Sequence, residues 1–263
     1  MHMTRNRAKA RLREGSSVLC CTIDIPHPTV IEVLGYAGFH ALELDREHGL
    51  IGMEQMNVFW LACEAAKVTP FWRVGSMDRA EIQRALDMGF TSFVVPHIKS
   101  AKDAESVIAA VRYPPKGCRG VGPRRPIRFG LADPVQYLQS AESELLIAFM
   151  IEEPEAVEHI DEIVAVDGVE LVQLGFWDLS VAYGVPLEER HPKLVSAAEK
   201  VLEAAARKGV WVGTPPVSPE DMRKWEAKGA RFFEVGSAAS LLASAAQGIV
   251  AGYSPELAPA VLP

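Results

Sequence analysis

The sequence predicts a single (β/α)8 barrel of the α/β class, on three observations. Its 263 residues match the roughly 250 that such a barrel occupies as one domain. Short apolar runs of strand length alternate with segments of helical periodicity, the pattern of a parallel sheet covered by helices. Polar and charged residues gather where the apolar runs end, and in a barrel those strand ends carry the reactive groups. An open doubly wound sheet is the alternative for alternating βα units, but eight units in about 250 residues favour closure.

In chain order, strands are expected at 17–23, 40–45, 68–73, 91–95, 145–151, 169–174, 210–213 and 231–235. Cys20 and Cys21 lie in the first run and read as strand packing. Met53, Met56, Trp60 and Cys63 recur at helical spacing after the second run, and Val157, Ile160 and Val164 do so after the fifth. Helix starts carry cap residues: Asp78, Ser100 before a helix at 101–111, and Ser218 followed by Pro219. A connection at 113–143, with a Pro-Pro pair and several arginines, is too long for a simple loop and predicts an extra arm. The last segment, 237–263, reads as a helix followed by a Pro/Ala-rich tail, completing one domain over 1–263.

The net charge of −7 argues against a nucleic-acid surface, which wants a basic face. The basic run at 5–13 is expected to be a solvated, partly frayed terminus. Four cysteines without C-x-x-C or framework spacing fit a reducing cytoplasm. No apolar stretch approaches the roughly 18 residues that cross a membrane, and no signal peptide precedes the first strand.

The strand ends carry the chemistry. The first run leads into Asp24, the second into Asp45-Arg46-Glu47-His48, the third into Arg73, the fifth into Glu152-Glu153, and the sixth passes Gly175 to Asp178. Two hard carboxylates on neighbouring strands, Glu152 and Asp178, suit Mg2+ or Mn2+ (Co2+ is also possible) with positions left for water and a 2-oxo acid. Arg73 suits a developing oxyanion, and His48 a proton carrier near neutral pH. Gly175 leaves room for substrate, and the backbone N–H groups after it suit a carboxylate. Blander readings stand beside these: Glu152 as a charge at a helix start, Asp178 as an N-cap, Arg73 paired with Glu47 as a structural ion pair. His97 and His159 read as surface or packing residues. No G-x-G-x-x-G after a strand, no G-x-S-x-G and no H-E-x-x-H spacing occurs.

The strings Asp45-Arg46-Glu47-His48-Gly49, Leu86-Asp87-Met88-Gly89, Val94-Val95-Pro96, Arg112-Tyr113-Pro114-Pro115, Arg119-Gly120-Val121-Gly122 and Trp177-Asp178-Leu179-Ser180 resemble, in this order, the class II pyruvate aldolases of the HpcH/HpaI family. The resemblance runs from about residue 17 to residue 246. It implies a metal-dependent aldolase that cleaves or forms 4-hydroxy-2-oxo acids from pyruvate and an aldehyde through a metal-stabilised enolate. It also implies Glu152 and Asp178 as metal ligands, Arg73 at the enolate oxygen, and His48 with Asp87 as the proton-moving pair. Gly175 would lie in the loop that binds the pyruvate carboxylate, and the assembly would be a homohexamer with sites near subunit boundaries. Arg124 and Arg125, on an arm reaching a neighbour, would then meet an anionic aldehyde.

The chain departs from that family at Met150-Ile151-Glu152, where Gln-Ile-Glu is usual. It departs again at Gly175-Phe176-Trp177-Asp178, in place of Gly-Pro-Ala-Asp, which puts Trp177 against the bound substrate. The segment after Arg119-Gly120-Val121-Gly122 is also shorter and more basic than usual, which would suit CoA phosphates. This gives a second reading, an acyl-CoA lyase of the citrate-lyase-like branch. Met150 and Trp177 motivate a third, a metal- or ligand-binding barrel without catalysis.

Overall fold

The computed structural model describes residues 5–254. Eight parallel strands pair in sequence order and close: β1 (Val18–Ile23), β2 (Ala41–Asp45), β3 (Thr69–Arg73), β4 (Ser92–Val95), β5 (Leu146–Ile151), β6 (Leu171–Leu174), β7 (Trp211–Thr214) and β8 (Phe232–Ser237). Each starts and ends within two residues of its expected position. The helices are α1 (Arg7–Arg13), α2 (Pro28–Tyr36), α3 (Met53–Ala66), α4 (Arg79–Met88), α5 (Ala101–Val111), α6 (Pro134–Ser140), α7 (Pro154–Glu158), α8 (Ile160–Ile163), α9 (Phe176–Ala182), α10 (Pro192–Lys208), α11 (Pro219–Ala227) and α12 (Ala238–Tyr253).

The cap signals act as expected. The Asp78 side chain accepts from Ala80 N–H at the start of α4, and Ser100 and Asp103 cap α5 reciprocally. Ser218 accepts from Asp221 N–H with Pro219 opening α11. The helical pattern through Val157 and Val164 is split at His159 into the short α7 and α8.

The N-terminal run is not frayed. It forms α1, which closes the N-terminal end of the barrel, because it is amphipathic in a way its charge conceals. Ala8 and Leu12 are buried against the barrel's inner residues, and Lys9 is buried with its ammonium on Leu145 O (2.6 Å) and paired with Glu170. Asn6 reaches inward to Ser92 Oγ (2.8 Å), and Ala8 N–H donates to Thr69 Oγ1 (2.9 Å).

Alternation along the strands divides the interior into layers. The lower layers are apolar, built from Val18, Cys20, Ala41, Phe71, Val94, Leu146, Ala148, Leu171 and Phe232. Two residues further along their strands come Thr22, Glu43, Arg73, Gln173 and Glu234, an inward polar layer whose register is fixed by the pairs Thr22–Glu43 and Cys20–Glu234. The larger apolar cluster fills the space between sheet and helices, with Trp72, Phe90, Phe149 and Phe176 fully enclosed.

The arm between α5 and β5 holds two 3-10 turns and α6, and lies toward the N-terminal end of the barrel. After β8, α12 follows as the eighth barrel helix, yet only Ala238 in it is buried. The tail expected at 255–263 lies outside the described residues. No helix of the described residues is long and apolar enough to cross a membrane.

Candidate active site at the barrel mouth

A cavity of about 540 Å3 opens at the carboxyl ends of the strands. Its walls include Asp24, Asp45, His48, Arg73, Met150, Gly175, Trp177, Asp178 and Glu234. Strand direction explains the gathering: these residues lie at or beyond the middle of their strands, or in the loops and first helical turns that follow them.

The β2 end is shaped by Asp45, whose Oδ1 accepts the backbone N–H groups of Glu47 (2.8 Å) and His48 (3.1 Å). Gly49 permits this tight turn, since a Cβ there would lie 2.2 Å from Asp45 O. The turn leaves the His48 ring exposed at the cavity, with Nε2 3.8 Å from Glu47 Oε2. Arg73, ending β3, is 9% exposed and lies among carboxylates: Glu47 Oε2 at 2.5 Å, Glu43 Oε1 at 3.6 Å and Asp45 Oδ2 at 3.9 Å. The Arg73–Glu47 ion pair considered from the sequence is therefore formed, and the same guanidinium also lines the mouth. Burial disfavours its charge, but the surrounding carboxylates outweigh that and raise its pKa.

Glu152 follows β5 directly and is almost fully buried. Its Oε1 accepts His97 N–H at 2.7 Å, while Oε2 is buried with no hydrogen-bond partner. Helix capping does not account for it, because the N-cap of α7 is Glu153. Nor does capping account for Asp178: Gly175 is the N-cap of α9, and Asp178 lies exposed in the first turn with no hydrogen bond or ion pair among the described residues. This helix begins at Phe176, two residues before Asp178. Gly175 is required where it stands, since a Cβ would come within 2.7 Å of Glu152 Cβ and 2.9 Å of Glu152 Oε2. Burial pushes the Glu152 carboxyl up, opposed by the His97 N–H and by Arg73, with Asp178 adding to the rise. An orphaned buried carboxylate oxygen beside an unpartnered carboxylate fits a hard divalent cation. No group of three or more histidine, cysteine or acidic residues among the described residues is arranged to hold a metal, so the protein's share would be two carboxylates.

His97 is the residue that sequence reasoning missed. It is exposed, as the surface reading expects, but it also bridges: its ring lies 3.0 Å from Glu47 Oε1 on one side and 3.3 Å from Glu153 Oε1 on the other, tying the β2 and β5 ends together. Its φ of 58° lies in the left-handed region, held there by these contacts and by its N–H on Glu152. A histidine directly after the β4 end, in Val95-Pro96-His97, was the available signal. Trp177 is 65% exposed at the rim, its indole N–H on Glu189 (3.0 Å), and Met150 supplies an apolar wall.

Asp87 does not join this group. It occupies the last turn of α4, a ten-residue helix that carries the chain about 15 Å back toward the N-terminal end. There it accepts from Gln83 Nε2 (3.1 Å), near Gly122 of the arm. Within one chain Asp87 and His48 are thus at opposite ends of the barrel. Arg125 is likewise away from the mouth, bonded to Asn57 on α3.

Beneath the mouth, Glu43 is fully buried with both oxygens lacking a hydrogen-bond partner, and burial together with Glu234 pushes its pKa well up. Glu234, held by Thr22 Oγ1 (2.8 Å) and Gln173 Nε2 (2.6 Å), is pushed up by burial as well. A carboxyl raised in the folded state stabilises fully below its ordinary value of 4.5, and that contribution is lost as pH climbs through the folded value. Glu43→Gln should therefore lose less stability than the native chain between pH 5 and pH 8. Thermal midpoints of both proteins across that range check it, and parallel pH profiles would refute it.

The sequence and the fold have counterparts among known proteins. The 5-keto-4-deoxy-D-glucarate aldolase of Enterobacter sp. (strain 638) is 32% identical over 243 residues, covering 92% of this chain and 94% of that one. The crystal structure of an HpcH/HpaI aldolase from Desulfitobacterium hafniense DCB-2 superposes with a TM-score of 0.89 at 30% identity, covering 100% of both chains. The citrate synthase SbnG superposes with a TM-score of 0.87 at 28% identity, over 96% of this chain and 99% of that one. The sequence profile described as HpcH/HpaI aldolase/citrate lyase matches residues 23–245, and the chain belongs to that family.

Proposed function

We propose that this enzyme is a divalent-metal-dependent aldolase acting on 4-hydroxy-2-oxo acids, with pyruvate or a close 2-oxo acid as the donor. The observation that carries the reading is the buried, unpartnered Oε2 of Glu152 beside Gly175, with Asp178 free in the next helical turn. Glu152 and Asp178 would hold Mg2+ or Mn2+, which when bound supplies Lewis-acid polarisation of the oxo-acid carbonyl. Arg73 donates N–H groups toward the oxygen on which negative charge develops as the C3–C4 bond breaks. Its orientation is set by Glu47, Asp45 and Glu43. His48, exposed at the cavity and anchored through Asp45, carries the proton between the 4-hydroxyl and solvent. Gly175 keeps space at Glu152 for the oxo acid, while Trp177 and Met150 border the side where the aldehyde leaves.

Asp87 can partner His48 only from a second copy of the chain, since the two lie at opposite ends of one barrel. A homo-oligomer is supported by α12, which leaves Leu242, Ile249 (74% exposed) and Tyr253 (87% exposed) uncovered, although its position in the sequence is that of a barrel helix. Ile249→Asp is expected to lower the molar mass measured by light scattering during size exclusion. An unchanged mass would remove α12 from the interface.

The citrate-lyase-like reading draws support from the family's description, aldolase/citrate lyase, and from the likeness to the citrate synthase SbnG, while the basic segment that would suit CoA phosphates lies at the N-terminal end of the barrel. A barrel without catalysis is motivated by Met150 and Trp177 alone, and intact metal binding without pyruvate proton exchange would favour it. The working test is a condensation screen with pyruvate and hydroxypyruvate against a panel of aldehydes, with Mg2+ or Mn2+, read by donor consumption. Consumption that depends on both metal and aldehyde supports the reading. Turnover of acetyl-CoA in place of pyruvate would replace it with the citrate-synthase type.

A further inference from the structure

We propose that Arg190 is a positioning residue for the acceptor side of the mouth, holding the Trp177 ring in place through Glu189. The acceptor's role rests on the aldolase reading, while the contacts themselves stand without it.

Two loops supply that side of the cavity. The segment 183–191 between α9 and α10 brings Glu189, and the loop between β7 and α11 brings Pro215, Pro216 and Val217. Arg190 joins them. Its Nη1 donates to Glu189 O (2.8 Å) within the first loop. Toward the second, Nε donates to Asp221 Oδ1 (3.1 Å), and Nη2 donates to Asp221 Oδ2 and to Pro215 O (3.5 Å). Asp221 Oδ2 also accepts Val217 N–H (3.0 Å), so the second loop is held at both Pro215 and Val217. Among the described residues, every hydrogen bond from segment 183–191 to this loop and the first turn of α11 comes from Arg190.

The guanidinium is held by its faces as well. Its carbon lies 5.3 Å from the Phe176 ring centre and 5.7 Å from that of Trp225, and both rings are buried. All three of its nitrogens donate to protein groups, so Arg190 is a clasp and not a group offered to a substrate. What it presents to the cavity is the residue before it. Glu189 Oε1 accepts the Trp177 indole N–H at 3.0 Å. Because Trp177 is 65% exposed, packing does little to fix its ring, and this hydrogen bond orients it. The chain of contacts runs from Asp221 through Arg190 and Glu189 to the wall that the aldehyde meets.

The test is both kinetic and spectroscopic. In Arg190→Met, KM for propanal condensing with pyruvate should rise about tenfold, while kcat and exchange of the pyruvate methyl protons stay within about threefold. Arg190→Lys, which keeps the charge without the fork, should recover part of the loss. Glu189→Ala breaks the link at Trp177 and leaves the clasp, so it should raise KM alike with an unchanged thermal midpoint. That variant carries the test if Arg190→Met does not fold. In a Trp177→Phe chain, where the indole N–H is gone, Arg190→Met should add little to KM. Near-ultraviolet circular dichroism, taken as the difference between each chain and its Trp177→Phe form, should weaken in Arg190→Met, and it reads the ring without turnover. An equal effect of Arg190→Met with and without Trp177 would overturn the proposal, because the ring would not be the route. So would loss of methyl exchange in Arg190→Met alone, because the clasp would then support α9 and Asp178 instead. Absence of exchange in the native chain would remove the aldolase reading, and the acceptor role with it, even where the dichroism reports the clasp.

Discussion

Glu152→Ala is expected to abolish binding of Mn2+ at the barrel mouth and, with it, all pyruvate enolisation, while leaving the fold intact. The native carboxylate contributes one buried oxygen that no protein group satisfies and another that anchors on His97 N–H. Its removal therefore takes away an acid whose ionised form burial disfavours, and stability should not fall on that account. Asp178→Ala should act alike, since Asp178 caps nothing and pairs with nothing among the described residues. Calorimetric titration with Mn2+ checks both: the native chain should bind one ion per site, and either variant should show no saturable heat. Because the Glu152 pKa is raised, affinity for the cation should also weaken as pH falls toward that value, where the proton competes for the oxygen. Unchanged Mn2+ affinity in both variants would remove the two-carboxylate site.

Arg73→Met is expected to cost both activity and stability. The methionine fills much of the volume but leaves Glu43, Asp45 and Glu47 without their cation, in a layer where Glu43 is already fully buried. Losing one partner of a buried charge network costs about 3–5 kcal/mol. The loss should grow with pH. Arg73 lowers the pKa of Glu43 and of Glu234, so without it both rise further, and the stability tied to their protonated forms disappears as pH increases. Activity should fall about 100- to 1,000-fold, the scale for removing a donor aimed at a developing oxyanion. Arg73→Lys separates the two roles: it keeps a charge for the carboxylates but loses the fork, so it should recover more stability than turnover. Urea denaturation at pH 6 and pH 8, beside turnover, reads both. Equal stability of Arg73→Met and the native chain at pH 8 would contradict this account of the polar layer.

Much of this was legible in the residues. The strands were found because short apolar runs bounded by caps leave few alternatives, and the mouth residues because strand ends carry the polar positions of a barrel. Glu152, Asp178, Arg73, His48 and Gly175 were all identified that way; Asp178, Arg73, His48 and Gly175 line the mouth, and Glu152 is buried against Gly175. The inward polar layer was in plain view as single polar residues inside strands: Glu43 in ALELD, Gln173 in LVQL and Glu234 in FFEVGS. Its meaning depends on closure, which turns alternate residues into one shared interior. His97 was read as a surface or packing residue, and it is exposed; its bridging role was not legible because its partners, Glu47 and Glu153, are far off in sequence and meet it only through the β2–β3–β4–β5 pairing. The run 5–13 was misjudged because charge density hid Ala8 and Leu12, which bury against the lower layers. Asp87 is a different case: its motif was visible, but nothing in a linear motif says that α4 carries it to the far end of the barrel.

The claim that Glu152 and Asp178 form a metal-dependent enolising site is tested most directly by exchange of the pyruvate methyl protons in heavy water, followed by proton NMR. The native enzyme should exchange them with Mn2+ and stop when EDTA is added, and neither Glu152→Ala nor Asp178→Ala should exchange under any metal. Exchange that persists in either variant, or in the native enzyme stripped of metal, would contradict the assignment.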